Sequence, residues 1–421
     1  MPFMIQQSQN ARSADAIGAG RFSQLLRVMS GAFFLVLVIA SIHQLYVYKH
    51  DLDSGDPYSA INKEAALVYY SLWSGVAALA FATTFHRRSV FLSLYVTLLL
   101  LAEAVAYLFF FATHLHLFHP TAPVLFNRFE AHPLTIARPH PGAFGAITHD
   151  ANHRRTTVNQ AKIGNPKFLF VFGGSTTYDA GNKDGDSWPS QLSALLGPDI
   201  DVENFGVPGF SSVENLVQSL FAFRDQRPSC AVYYEGWNDL QKSHIDDLQV
   251  DYSDFEAPEL IQVLALGHRP GFLENNSALV AYIASIFAPP GPARVRGVLS
   301  DEKDLRLSAI YQENMRLISA VGREFGVKVI FIPQVLNYAM LTGDSLYGWL
   351  PFVKDKDVKK LMALMNQDLA AAAASSGALF VDAPLLEHWT GSDFVDQGHF
   401  SALGARKFAA SIAPVLAGAC R

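Results

Sequence analysis

Residues 167–181 read KFLFVFGGSTTYDAG, and this stretch decides how the rest of the chain is interpreted. Residues 168–172 are all aromatic, aliphatic or β-branched, which is typical of a strand buried on both faces. Two glycines follow, and then the hydroxyl side chains of Ser175, Thr176 and Thr177. A buried strand that ends in Gly-Gly-Ser brings one small nucleophile to the edge of a sheet. Ser175 is therefore the first candidate catalytic residue.

Helices and strands alternate along the chain after this first strand. Helices are predicted at residues 187–197, 213–224, 301–325, 355–376 and 401–417, and strands at 200–205, 230–235, 327–333 and 378–382. This alternation predicts βαβ units and one parallel sheet covered by helices on both faces, a three-layer α/β/α fold. In such sheets, functional residues collect in loops beyond the carboxyl ends of the strands. Pro414 is expected to kink the last helix or to end it early.

The first 118 residues are expected to form an α-helical transmembrane region of three spans. Apolar stretches cover residues 28–48, 65–85 and 89–113. Each is long enough to cross the hydrocarbon core of a bilayer at ~1.5 Å per residue. Residues 119–165 are rich in Pro, His, Arg and Asn and are interpreted as a linker with surface loops. Residues 166–421 form the predicted soluble domain.

The charges that flank the spans predict their orientation. Arg12, Arg21 and Arg27 precede the first span, and Arg87 and Arg88 lie between the second and the third. Because Lys and Arg accumulate on the cytoplasmic side, the N-terminus is predicted to be cytoplasmic. Three crossings of the inner (cytoplasmic) membrane then put the soluble domain in the periplasm or outside the cell. A cleaved signal peptide is the alternative for the first span, but two further spans follow it.

Two apolar regions are each open to two interpretations. Glu103 is the one acid within the third span. Intramembrane carboxylates are often functional, and the alternative is a hydrogen bond between helices or a protonated acid. The long insert at residues 240–299 contains the apolar segment ALVAYIASIFAPP, which is too short to span a membrane. We expect it to be a lid or wall of the substrate cleft, or an extra helix packed on the sheet.

The composition argues against several classes of function. A net charge of -6 and the lack of a basic run argue against nucleic-acid binding. Three histidines (114, 116 and 119) end the third span without a carboxylate at ligand spacing, so we expect no metal and no other cofactor. The two cysteines, Cys230 and Cys420, form no CxxC pair. Cys230 is expected in the core, with a Cys230–Cys420 disulfide in an oxidising compartment as the alternative.

Two residues near the end of the chain are suited to activate Ser175. Asp396 and His399 lie three residues apart in FVDQGHFS, a spacing that one turn can bring to the same side. A serine is a weak nucleophile until a base removes its proton, and the base is usually a histidine oriented by a carboxylate. His399 is therefore the candidate base, and Asp396 is the candidate orienting group.

Two further loops carry groups that suit an oxyanion. The second strand ends in NFGVPG and the third in GWND. The candidate donors are the backbone N–H groups of Ser175 and Gly209 and the side-chain amide of Asn238. Gly206 in the same loop is the alternative to Gly209. A Gly-Gly-Ser turn also occurs in phosphate-binding loops, but the lysine of a P-loop is missing here.

The four blocks GGST, NFGVPG, GWND and DQGH resemble those of the SGNH hydrolases, also called the GDSL esterase/lipase family. The resemblance covers about residues 165–420 and implies an SGNH-like (flavodoxin-like) parallel sheet. The roles that it implies are nucleophile for Ser175, completion of the triad for His399 and Asp396, and oxyanion hole for Gly209 and Asn238. Gly174 departs from the family pattern, which usually has Asp before the serine.

The resemblance implies a serine esterase that works through an acyl-enzyme on Ser175, and the three apolar stretches predict that it is anchored in a membrane. Membrane-tethered SGNH-like domains of bacteria are often linked to acetylation or deacetylation of envelope polysaccharides, so O-acyl (acetyl) esters of envelope carbohydrate or lipid are the expected substrates. One alternative is an O-acyltransferase that acts on a polysaccharide, with a membrane acyltransferase as a candidate partner. The other is a non-catalytic carbohydrate-binding or scaffold protein on the same fold.

Overall fold

The computed structural model describes residues 2–54, 57–86, 89–114, 128–159, 164–253, 271–287, 296–344 and 350–420. The chain divides into two compact units. Unit 1 consists of Met1–Ser54, Ser59–Pro123 and Arg269–Pro290, and unit 2 consists of Gly55–Tyr58, Val124–His268 and Gly291–Arg421. Arg87, Arg88, His116 and His119 lie outside the described residues.

Unit 1 contains three long helices, α1 (Pro2–Ser54), α2 (Pro57–Thr83) and α3 (Val90–His114). Their segments Arg21–Val47, Lys63–Thr83 and Val90–Phe109 are long and apolar enough to cross a membrane. Many large apolar side chains on these helices are exposed, which is costly in water and favourable in lipid. The three predicted apolar spans are confirmed as helices of sufficient length.

Four short strands precede the main sheet of unit 2, in a region that was expected to be a linker with surface loops. They are β1 (Phe129–His132), β2 (Ile136–Pro139), β3 (Gly142–Phe144) and β4 (Ile147–His149). They pair as two antiparallel hairpins, β1 with β2 and β3 with β4. The strands have only three or four residues each, so their sequence carries too few alternations to show a period.

A five-stranded parallel sheet forms the centre of unit 2. Its strands are β5 (Lys167–Gly173), β6 (Ile200–Asn204), β7 (Cys230–Glu235), β8 (Lys328–Pro333) and β9 (Leu379–Phe380). They lie in the order β6-β5-β7-β8-β9, and every neighbouring pair is parallel. The predicted parallel sheet is confirmed, and β5 lies between β6 and β7. The carboxyl ends of these three strands therefore meet at one edge.

Helices cover both faces of the sheet, which confirms the three-layer α/β/α fold. The helices after α3 are, in chain order, α4 (Ser175–Tyr178), α5 (Trp188–Leu196), α6 (Ser212–Asp225), α7 (Trp237–Leu240), α8 (Phe272–Asn275), α9 (Ala278–Phe287), α10 (Leu305–Phe325), α11 (Asp355–Ser376), α12 (Ala383–Leu386) and α13 (Ala402–Ala419). Phe170 and Phe172 of β5 share one core with α6, α10 and α11. Leu169 and Val171 share the other with α5 and α13. Pro414 lies inside α13 without ending it.

Helices α8 and α9, from the insert between β7 and β8, belong to unit 1. Buried Ala278 shares a core cluster with Tyr69 and Trp73 of α2 and with Leu100 and Ala106 of α3. The expectation of an extra helix packed on the sheet is therefore wrong for this segment, which packs on α2 and α3. Its sequence ALVAYIASIF has no charged face, and its burial against the apolar helices of unit 1 is favourable.

Cys230, the first residue of β7, forms a disulfide with Cys420, which follows α13. Both residues are buried in the core on the α5–α13 face of the sheet. The two cysteines are separated by 190 residues along the chain. The disulfide thus ties the end of the chain to a central strand, and the alternative left open by the sequence is the one that the structure contains.

We expect the Cys420→Ala variant to unfold more easily, because the cross-link restricts the unfolded chain. The free energy of unfolding should fall by about 2–4 kcal/mol, the usual contribution of a disulfide that closes a long loop. Urea denaturation of the detergent-solubilised protein, followed by tryptophan fluorescence, measures the change. Reduction of the wild-type protein should lower the midpoint similarly. An unchanged midpoint in both cases would show that the disulfide does not stabilise unit 2.

Candidate active site

Ser175 lies where β5 ends and α4 begins, at the carboxyl edge of the sheet. Gly174 is the residue before the helix, and its carbonyl accepts hydrogen bonds from the N–H groups of Thr177 and Tyr178. The Thr177 hydroxyl donates to the carbonyl of Phe172 at 3.2 Å. Thr177 thus supports the loop, and half-buried Ser175 is left facing the site.

The structure brings Ser175, His399 and Asp396 together in one line of hydrogen bonds. The distance between His399 Nε2 and Ser175 Oγ is 2.8 Å. On the other side of the ring, His399 Nδ1 lies 2.7 Å from Asp396 Oδ2. A carboxylate accepts only, so Nδ1 carries the proton, and Nε2 is left to accept the hydroxyl proton of Ser175. This arrangement is suited to activate the serine.

The pKa of Asp396 lies below its ordinary value, which keeps the carboxylate ionised. Burial alone would raise this pKa. The side-chain hydrogen bond and the charge of His399, together with the backbone N–H groups of His399 and Gly398, lower it by more than burial raises it. Both N–H groups donate to Asp396 Oδ1 at 2.8 Å. The loop itself therefore holds the carboxylate and the imidazole in register.

Asn337, which follows β8, positions this loop and was missed by the sequence analysis. Its backbone N–H donates to the backbone carbonyl of Gln397 at 2.8 Å. Its side-chain amide donates to the backbone carbonyl of Asp396 at 3.4 Å. Asn337 is buried and lies four residues beyond Pro333, the end of β8. No sequence motif predicts this role for Asn337, because its hydrogen-bond partners are distant in the sequence.

Gly209 lies in the loop after β6, and Asn238 lies in α7, which follows β7; these are the strands on either side of β5. Val207 to Phe210 form a turn closed by the hydrogen bond from Phe210 N–H to the Val207 carbonyl at 3.1 Å. Gly209, the third residue of this turn, has φ of +86°, which favours glycine. Asn238 Nδ2 donates to the Phe210 carbonyl at 2.8 Å. The two segments that carry the candidate oxyanion donors are thus joined directly.

The alternative oxyanion residue, Gly206, has a packing role in this structure. Its N–H donates to Asn204 Oδ1 at 2.8 Å. A Cβ atom at this position would lie 2.3 Å from the backbone nitrogen of Tyr178. Gly206 therefore lets the β6 loop approach the backbone of α4, and its N–H is occupied. Of the two glycines, this leaves Gly209 as the candidate donor.

Buried acidic groups lie behind Asn238. Asp239 Oδ1 accepts from the hydroxyl of Ser212 at 2.5 Å and from that of Tyr252 at 3.2 Å. Burial raises the pKa of Asp239, although the hydrogen bond from Ser212 opposes the increase. Burial also raises the pKa of Glu235 well above its ordinary value, and the charge of Asp239 adds to the increase. This network fastens the start of α6 to the loop that carries Asn238.

Arg155 is a second residue that the sequence analysis missed, in the region expected to be a linker. The residue is only 1% exposed. It donates to the backbone carbonyls of Tyr178, Asp179 and Asn182. Asp179 has φ of +59°, and burial raises the pKa of its carboxyl group to about 6. Arg155 thus stabilises the turn that follows α4.

Gly174 is the position at which the sequence departs from the SGNH pattern, and the structure gives a reason for glycine there. A Cβ atom on Gly174 would lie 2.2 Å from Asn238 Nδ2 and 3.0 Å from the carbonyl oxygen of Phe210. The Asn238 amide therefore occupies the space that a side chain at position 174 would need.

No protein-family model and no curated protein sequence matches the chain. Among solved structures, TesA is 16% identical with a TM-score of 0.37, and the match covers 60% of this chain and 99% of TesA. A GDSL-like lipase from Bacteroides thetaiotaomicron is 13% identical with a TM-score of 0.36, covering 61% and 93%. An acetylxylan esterase from Geobacillus stearothermophilus is 13% identical with a TM-score of 0.34, covering 60% and 94%. These similarities assign no residue roles.

We expect Gly174→Ala to displace the Asn238 amide and to slow the reaction of Ser175 with a fluorophosphonate. Loss of one oxyanion donor typically costs about 10²–10³-fold in rate. The atom at 2.2 Å is the end of a side chain, and the Phe210 carbonyl oxygen at 3.0 Å would have to shift only slightly, so the fold should persist, which the melting temperature checks. Gly185→Ala is the matched control, since a Cβ at exposed Gly185 meets nothing within 4 Å. Equal rates for both variants would contradict a role for Asn238.

Proposed function

We propose that this protein is a membrane-anchored serine esterase that transfers acyl groups through an acyl-enzyme on Ser175. The observation that carries the proposal is the line of hydrogen bonds from Ser175 Oγ through His399 to Asp396, with distances of 2.8 and 2.7 Å. It lies at the carboxyl edge of a parallel sheet, where such folds place their chemistry. A purely structural cluster would not need a half-buried serine at its open end.

In the proposed reaction, His399 Nε2 takes the hydroxyl proton while Ser175 Oγ forms a bond to the ester carbonyl carbon. Asn238 Nδ2 and the N–H groups of Gly209 and Ser175 stabilise the negative oxygen that results. The bond from carbon to the leaving alcohol then breaks, and His399 returns the proton to that alcohol. In the second half, a water or another hydroxyl group attacks the acyl-enzyme by the same route.

O-acyl (acetyl) esters of envelope carbohydrate or lipid are the proposed substrates. The proposal rests on the resemblance of the four sequence blocks and on the predicted membrane location. The identity of the second acceptor separates an esterase, which uses water, from an O-acyltransferase, which uses a sugar hydroxyl. Both share the acyl-enzyme on Ser175, whereas a non-catalytic binding protein would not form it.

We expect a fluorophosphonate probe to label the detergent-solubilised protein at Ser175. Labelling should disappear in Ser175→Ala because the nucleophile is gone, and it should persist in Ser375→Ala, a serine on the last turn of α11. Intact-mass measurement gives the readout. Failure of the folded wild-type protein to react would contradict the esterase proposal and favour a binding protein. An acyl ester donor, supplied with and without acetyl-free oligosaccharide, then shows whether the acyl group reaches water or sugar.

We further propose that unit 2 faces the periplasm or the cell exterior. The arginines that precede the first apolar stretch, residues 28–48, support a cytoplasmic N-terminus. The Cys230–Cys420 disulfide independently fits an oxidising compartment, because cytosolic proteins seldom keep disulfides. The two arguments use different residues in different units and agree.

Reporter fusions test this orientation. Alkaline phosphatase folds only in an oxidising compartment, and we expect it to be active when fused after residue 119 and inactive when fused after residue 88. A fluorescent protein that matures only in the cytoplasm should give the opposite pattern at both positions. The reverse pattern would place unit 2 in the cytoplasm and would contradict the proposal.

A further inference from the structure

A polar turn lies inside the apolar core of unit 1. The carboxylate of Glu103 on α3 accepts from the hydroxyl of Ser277 at 2.7 Å and from the N–H groups of Ala278 and Leu279 at 2.6 and 3.1 Å. Tyr69 of α2 donates to the same carboxylate at 2.8 Å. Glu103 therefore binds the first N–H groups of α9 and also makes the hydrogen bond between helices that the sequence analysis proposed.

Side chains supply hydrogen-bond donors for backbone carbonyls around this turn, as a nonpolar environment requires. Trp73 Nε1 donates to the carbonyl of Asn276 at 2.9 Å. The side-chain amide of Asn276 donates to the carbonyl of Phe272 at 2.9 Å. In water such groups would be solvated without help, whereas in hydrocarbon each unsatisfied group costs several kcal/mol. The described polar groups of the turn thus fit a location away from water.

Helix α9 runs in the same direction as α3. Ala278, its first residue, lies at Glu103, and the ring of Tyr282 lies 6.3 Å from that of Phe109. Helix α9 therefore runs toward the carboxyl end of α3. Glu103 lies 114 − 103 = 11 residues before the last residue of α3, His114. At ~1.5 Å per residue this is about 16 Å, roughly half of a hydrocarbon core of about 30 Å.

Chain connectivity then defines the path of the segment. Residues on both sides of Arg269–Pro290 belong to unit 2, and the chain that follows α3 re-enters unit 2 at Val124. A ten-residue helix that starts at the depth of Glu103 and runs toward the end of α3 is too short to cross a bilayer. The segment therefore enters the apolar layer and leaves it on the same side.

We propose that residues 271–287 form a re-entrant membrane element whose tip binds lipid acyl chains deep in the bilayer. The inference rests on the membrane location proposed above and goes beyond it. Phe272 and Leu273 at the tip are each 66% exposed, and Ile283 on α9 is 46% exposed. These side chains extend the exposed apolar surface of α3, on which Leu108 is 65% exposed. An exposed apolar surface of this kind is the partner of hydrocarbon.

A fluorescent probe on Leu273→Cys reports the environment of the tip. The full-length protein is labelled with an environment-sensitive maleimide and reconstituted into phosphatidylcholine vesicles; the native cysteines are held in the disulfide. Lipids that carry a nitroxide near the bilayer centre or near the headgroup then quench the probe according to depth. Leu108→Cys on α3 serves as the hydrocarbon reference, and Leu386→Cys, at a residue of unit 2 that is 81% exposed, serves as the aqueous reference.

We expect the probe at position 273 to be quenched by the deep nitroxide as strongly as the probe at 108, with a similar blue shift. Quenching like that at 386 would overturn the re-entrant element while leaving the spans intact. An aqueous signal at 108 as well would instead overturn the membrane location. Glu103→Ala should expose the probe at 273 to a water-soluble quencher and leave the probe at 108 unchanged.

Trp73→Phe, which removes one donor and keeps an aromatic ring, is the milder variant in case Glu103→Ala does not fold. It should give a smaller shift of the probe at 273 in the same direction. If neither variant changes the environment at 273 in a folded protein, Glu103 and Trp73 do not hold the turn, and the inferred element is wrong.

Discussion

The site depends on the close approach of β5 and β7 at their carboxyl ends, where two loops must pass without side chains between them. Gly173 pairs with Tyr234, and a Cβ atom on Gly173 would lie 2.6 Å from the Tyr234 carbonyl oxygen. The next residue, Gly174, leaves its space to the Asn238 amide. Because parallel strands end at the same edge, the nucleophile and the candidate oxyanion donor are neighbours through sheet geometry alone. The two glycines are the condition for that geometry.

The sequence was sufficient for the features that repeat or that carry a recognisable block. Periodicity predicted β7 and α11 with the bounds that the structure has, because long or fully buried elements leave a clear apolar pattern. The candidate triad was also predictable, and the structure brings its three residues together. In each case the information is local: a strand, a turn or a spacing of three residues.

Features that depend on distant partners were not predictable. Arg155 looks like any surface arginine in sequence, and only the fold shows that three backbone carbonyls surround its guanidinium. Likewise, the apolar run of α9 is compatible in sequence with a lid or wall of the cleft or with a helix packed on the sheet. In the structure the first N–H groups of α9 bind Glu103 of α3, which lies 175 residues away in the chain. A helix needs a partner for its first N–H groups, and sequence does not say which one.

The departure at Gly174 shows how a motif mismatch and a geometric constraint can be the same observation. The family pattern usually has Asp at position 174, so the glycine there weakens the resemblance. In the structure, the space beside Gly174 is filled by the Asn238 amide, which is itself held by the carbonyl of Phe210 in the loop after β6. Three loops therefore share one small volume, and a side chain at position 174 would separate them. The glycine is better understood as the residue that allows this packing than as the loss of a family residue.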